Sequence, residues 1–363
     1  MNRKEFTDKK EYRTIHSMNV LLSTLIGEKE GPLHGKVHFP HQAPNENNIY
    51  EPSSKVYATS EKKILEVDER EIIDLQFPEQ KYQGIHTFRI EGISYIAAGY
   101  TSGINIQNIS TNREEQIPEQ KSIIVDRPQL YSKFNHIIHT GTTIEDMVLW
   151  SAHSDLGIIK IPIKDLLQTR IKVVQHSSHY IYQLQEINSN NSNKNHIRLT
   201  TNHKEQIYAS CNSQVYFFDQ ASNLFREHHS IPNEKISALA ATESSIFTGT
   251  TSGKMYCNGR IYGDTKETTS KIIKIIPQNE NYIFFSTQTA GLNGPLNMIH
   301  NSHQRYYPPT LIPIDDFQLR NNELFTLSEG KIKRFEINDD DTISPIIIYE
   351  PTVKTAKKMT IMG

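Results

Sequence analysis

The chain has 363 residues, of which 36% are hydrophobic and 9% aromatic, and its mean hydropathy of −0.55 is on the polar side. Its 39 basic and 41 acidic residues give a formal net charge of −2, which argues against nucleic-acid binding through an overall basic face. Two cysteines, Cys211 and Cys257, exclude a disulfide framework for a chain of this length.

The first 13 residues mix both charges and hold no apolar signal core. No run reaches the ~18 apolar residues of a membrane-spanning helix. A soluble protein is expected, cytoplasmic in the first instance, with the nucleus open as well. Residues 1–50 read as an N-terminal extension, with a short helix near residues 17–26 followed by a Pro- and Asn-rich stretch. Within it, Lys36-Val-His-Phe39 is a candidate for a strand that closes the sheet ring from the N-terminal end.

From residue 51 to 363 one pattern recurs, a β-rich strand, a tight polar turn and a second β-rich strand. The first copy is Val56-Tyr-Ala-Thr-Ser60, a turn from Glu61, then Ile64-Leu-Glu-Val67. Others begin at Tyr95, Met147, Ile207, Ile246, Ile283 and Leu324. Four of the six spacings between these starts, 39, 39, 37 and 41 residues, sit near the ~40–45 residues of a four-stranded propeller blade. The two longer ones, 52 and 60, hold insertions. The longest contains the polar tract Asn188-Ser-Asn-Asn-Ser-Asn-Lys-Asn195, which reads as a solvated loop.

Alternating β-branched and aromatic residues suit a half-buried pleated surface. Gly99-Tyr-Thr-Ser-Gly103 and Gly249-Thr-Thr-Ser-Gly253 are nearly identical, 150 residues apart, and their second glycine is expected to take a positive φ in the turn. Segments near residues 72–77, 170–174, 226–231 and 345–349 read as outer strands, and those near 86–90, 235–240 and 271–276 as inner ones. Met359-Thr-Ile-Met362 follows the seventh copy and can pair back into the first, which would remove the exposed edges of an open sheet ring.

Over about residues 50–360 the unit resembles the second and third strands of a WD40 repeat. The Trp-Asp dipeptide of that family is absent from the third strands, where Val67-Asp68 and Phe218-Asp219 come nearest, and the Gly-His dipeptide before each blade is absent too. The resemblance implies an all-β fold, a seven-bladed β-propeller of degenerate WD40-like repeats. It also implies that the turns between second and third strands open on one face and form a binding surface. On this chain those turns carry Tyr100, Thr101, His153, Asp155, Asn212, Thr250, Thr251, Gln288 and Glu329. Such polar residues with an occasional aromatic suit protein or peptide recognition, although turns are also polar simply because they are wet.

Other candidate chemistry is sparse. His136-Ile-Ile-His139, His176-Ser-Ser-His179 and His300-Asn-Ser-His303 share a three-residue spacing, but on strands residues three apart point to opposite faces, and no zincin motif accompanies them. They read as surface or hydrogen-bonded histidines. Neither a nucleophile elbow nor a phosphate-binding glycine loop occurs. Asp315-Asp316 is a carboxylate pair without further signature, and Asp339-Asp340-Asp341 reads as a solvated turn. Trp150 reads as core packing, with an exposed anchor as the alternative. The basic cluster Lys354-Thr-Ala-Lys-Lys358 reads as a solvated tail, with contact to an anionic partner as the alternative. No cofactor and no metal are expected. The function expected is a non-enzymatic scaffold for a protein or peptide partner, as a subunit of a larger complex or alone. The alternative is a propeller hydrolase or lyase with a central-channel site, metal-assisted or not. A nucleic-acid-associated subunit ranks third.

Overall fold

A computed structural model describes residues 55–362 except 69–70, 110–119, 126–133, 154–155, 168–170, 175–180, 183, 185–196, 263–269, 301–302, 306–312, 321, 338–342, 349–351 and 354. The expected helix at 17–26 and strand at 36–39 lie outside the described residues, as do His176, His179 and the Asp339–Asp341 turn. The strands form seven sheets, six of four strands and one of five. Each is built on four antiparallel strands, the first of them innermost. In blade order the innermost strands are Ala356–Met362, Gly84–Ile90, Phe134–Thr140, Arg198–Thr201, Ile236–Ala241, Lys271–Pro277 and Asp316–Arg320.

The alternation in the sequence explains why the blades stack. On Lys55–Ser60, Val56 and Ala58 face one neighbouring blade and Tyr57 faces the other. On Ile93–Tyr100, Ala97 separates in the same way from Ile96, Ala98 and Tyr100. Seven apolar clusters result, one at each blade junction, rather than a single central core. Each blade buries one face against each neighbour, which is how a repeat that cannot bury its own apolar faces becomes stable. Trp150 is 2% exposed in the junction between blades three and four, with its indole N–H donated to Thr140 Oγ1 at 3.1 Å.

The ring is closed by the C-terminal strand. Ala356–Met362 pairs antiparallel with Lys55–Ser60, Lys55 lying opposite Met362 and Tyr57 opposite Thr360. The Lys354–Lys358 cluster is therefore not a solvated tail from Ala356 onward. Lys357 and Lys358 sit on an innermost strand anchored by buried Ala356 and Met359, although both lysine side chains stay exposed.

Two further expectations change. Ile171–Val174 is an outer strand, but it pairs parallel with Gln120–Val125 of blade two instead of extending blade three. A five-residue helix, Ile163–Leu167, precedes it and packs Ile163 and Leu166, three residues apart on one side, into the junction of blades two and three. The two near-identical turns also differ. Gly253 takes φ +88° as expected. Gly103 does not. It is glycine because a Cβ there would meet Ile123 O at 2.1 Å and the Tyr100 hydroxyl at 2.8 Å.

Candidate functional site

An antiparallel blade that begins on its innermost strand brings its second-to-third-strand turn back to the side where that strand started. The links between blades arrive on the same side. Backbone hydrogen bonds tie the two together. Asn212 O accepts from Ile236 N at 2.7 Å, Lys235 O from Thr251 N at 2.9 Å, Leu327 O from Asp315 N at 2.8 Å and Gly330 O from Val353 N at 2.8 Å. The turns at Asn212 and Gly330 are thus held by the link into the next blade and the turn at Thr251 by the link into its own, and this face forms a platform.

The expected surface residues divide into two groups. Thr251 and Glu329 are exposed, and Thr101, Asn212 and Gln288 are half-buried on the platform. Asn212 and Glu329 adopt left-handed backbones, φ 52° and 50°, which the tight turns require. Tyr100, His153 and Thr250 point inward and support their own turns. Tyr100 packs edge-on against Tyr82, and burial raises its phenol above the ordinary range. His153 is 1% exposed; its Nδ1 accepts the Leu156 N–H at 3.2 Å and its ring lies edge-on to Phe134. Thr250 Oγ1 accepts the Lys254 N–H at 3.1 Å. Asp155 lies outside the described residues.

The polar residues absent from that expectation stand on the innermost strands. Neighbouring blades are joined there by side chains. Thr87 donates to Ile361 O at 2.9 Å, and His86 Nε2 meets His139 Nδ1 at 2.8 Å. His136 bonds the backbone of Leu199. Arg198 Nε donates to Ser237 O at 2.9 Å, and Ser237 Oγ to Ile272 O at 2.6 Å. Lys274 Nζ donates to Asp316 Oδ1 at 2.6 Å and Phe317 O at 2.5 Å. Gln318 donates to Met359 O at 2.8 Å, and Asp316 Oδ2 accepts the Met359 N–H at 2.9 Å. Taken in turn, these contacts bridge all seven junctions around the axis. His136 and His139 serve opposite neighbours, as their three-residue spacing on a strand requires.

This environment shifts the titrating groups. Burial, aided by the neighbouring His139 ring, pushes His86 down to about 3. Burial also lowers His136 well below its usual range, with Arg198, Lys358 and Lys274 acting the same way. Arg198 is pushed down to about 10 by burial. Burial opposes ionisation of Asp316, but Lys274 and Lys358 outweigh it and hold the carboxyl below its usual range. Lys274 is itself lowered, by burial first, with Lys358 acting the same way against the pull of Asp316.

The other carboxylate of the pair, Asp315, accepts Lys357 Nζ at 2.7 Å and Asn293 Nδ2 at 3.0 Å. Among the described residues no helix is long and apolar enough to cross a membrane, and no group of three or more metal-ligating side chains occurs.

No protein-family model and no curated protein matches the sequence. Similarity to solved structures is found instead. A chain of the mitotic checkpoint complex is similar with a TM-score of 0.50 and 5% identity, covering 72% of this chain and 77% of that one. The WD40 domain of Toxoplasma gondii coronin has a TM-score of 0.48 and 11% identity, covering 82% and 76%. The computationally designed Ika8 protein has 0.46 and 12%, covering 78% and 84%. At such identities the likeness concerns fold alone. With seven sheets in a ring and a C-terminal strand completing the first, the chain is a seven-bladed β-propeller.

Proposed function

We propose that this protein is a non-enzymatic scaffold that presents the platform of second-to-third-strand turns to a protein or peptide partner within a larger assembly. One observation carries the reading. The histidines and the carboxylate described on the innermost strands, where a propeller enzyme would hold its acid and base, are engaged in joining blades. His86 is bonded to His139, His136 to Leu199, and Asp316 to Lys274 and Met359. A general acid or base has to reach its substrate's proton, and groups committed to blade junctions are poor candidates. The platform offers side chains on a backbone that the links between blades hold in place, and such a surface binds without first ordering itself.

Affinity capture from native cells, quantified by mass spectrometry, tests the reading. The wild type should retain a stoichiometric protein partner. The double variant Thr251→Arg/Glu329→Arg should reduce its recovery at least ten-fold. Glu91→Arg/Glu243→Arg, on turns between first and second strands, should not. Equal loss with both variants, loss with neither, or a small-molecule turnover activity instead of a partner would reject the proposal.

A further inference from the structure

Acidic residues slightly outnumber basic ones over the whole chain, 41 to 39. The innermost strands break that balance. Lysine and arginine occur on them seven times, and aspartate or glutamate once. Arg198, Lys271, Lys274 and Lys358 lie in the first half of strands that all run in the same direction, so they gather at one end of the channel, on the platform side. Arg198, Lys274 and Lys358, from three blades, all act on the His136 imidazole of a fourth. Arg198 and Lys235 in turn act on Lys271, whose ammonium is lowered by burial first and by these cations next.

The single carboxylate is already committed. Asp316 gives one oxygen to Lys274 and the other to the Met359 amide. Among the described residues no carboxylate is hydrogen-bonded to Arg198, Lys271 or Lys358, and Asp316, on which Lys358 acts electrostatically, is already bonded to Lys274. Like charges held together in a partly buried ring repel one another, and a multivalent anion removes that repulsion. Arg198 uses its Nε on Ser237 O, which leaves the outer guanidinium nitrogens for a second acceptor. A guanidinium fork with two ammonium groups matches the oxygens of a phosphate. Cations that surround an axis from several blades suit a compact anion that accepts hydrogen bonds from all sides.

We propose that the platform end of the central channel is a binding site for a compact multivalent oxyanion of the phosphate class, held by Arg198, Lys271 and Lys358. The site is independent of partner docking, so either reading can fail while the other stands.

Calorimetric titration of the full chain with sodium tripolyphosphate, at ionic strength held constant with sodium chloride, tests it. The wild type should bind one anion per chain and melt at a higher temperature when saturated. Lys271→Gln/Lys358→Gln should weaken binding at least ten-fold, and Lys164→Gln/Lys204→Gln, two exposed lysines on other elements, should leave it within two-fold. Without anion, Lys271→Gln/Lys358→Gln should melt at least as high as the wild type, because it relieves repulsion. Pyrophosphate and ADP serve as further probes. Comparable binding of both marks a site for phosphorylated small molecules, and binding of pyrophosphate alone marks one for an inorganic anion. Absence of binding to the wild type, equal losses in the two double variants, or an anion-free Lys271→Gln/Lys358→Gln protein that is unfolded or melts well below wild type would overturn the proposal.

Discussion

Gly99 and Gly249, the first glycines of the repeated Gly-x-Thr-Ser-Gly motif, show at the residue scale why that motif recurs. A Cβ on Gly249 would stand 2.5 Å from Ile272 Cγ2 and 2.7 Å from Ile272 Cβ, and one on Gly99 would stand 2.8 Å from Phe134 Cβ. In both cases the neighbour belongs to the innermost strand of the next blade. The glycine therefore sets how closely two blades approach, a role that no local turn rule contains. We expect Gly249→Ala to destabilise the protein by about 1–3 kcal/mol through overpacking, measured by urea unfolding. Combined with Ile272→Gly, which removes both crowding atoms, the cost should fall short of the sum of the two single changes. Strictly additive costs would show that the contact is not the reason. The sequence exposed the repetition, but it gave no means of assigning the second glycines. Gly253 serves a positive φ and Gly103 a close approach to Ile123 O.

At the scale of the element, the innermost strands carry the polar contacts that join blades. His86 has the clearest consequence for stability. Its folded pKa is depressed to about 3 from an ordinary 6.5, so between those values the unfolded chain holds a proton that the folded chain does not. That contribution to stability is complete above pH 6.5 and is lost as the pH falls, by up to about 1.4 kcal/mol per pH unit for one histidine. His136 and His139 are lowered in the same direction. We expect urea stability to decline from pH 6.5 to 5. His86→Asn, which keeps a polar partner for His139 but cannot titrate there, should decline less steeply, and an unchanged slope would exclude His86 as the source. The hairpins themselves were legible, because second and third strands pair locally and alternate apolar and polar residues. Ile171–Val174 was legible as a strand but not in its pairing, because its partner, Gln120–Val125, lies about fifty residues earlier. Lys357 and Lys358 show the same limit: charge suggested a tail, and only pairing with Lys55–Ser60 extends the closing strand back over them.

For the molecule as a whole, closure is the decisive feature. Without Ala356–Met362, blade one would lose its innermost strand, Gln318 and Asp316 would lose their contacts to Met359, and Thr87 its contact to Ile361. An open ring also presents an unpaired edge, a route to association. We expect a chain truncated after residue 355 to lose more than about 3 kcal/mol of stability and to aggregate, as judged by circular dichroism melts and size-exclusion chromatography. A truncated chain that melts as a monomer at the wild-type temperature would show that closure lies elsewhere. The amino-acid sequence by itself determined the repeat, its number and its two-residue alternation, because these follow from side chains a few positions apart on one strand. Tertiary structure alone decided which turn residues face solvent, which blade owns each outer strand, and that cations spread through a nearly neutral chain gather at one channel mouth. The physical reason is that a propeller's blade junctions and axis are formed by residues far apart in the chain, and local periodicity cannot specify which of them meet.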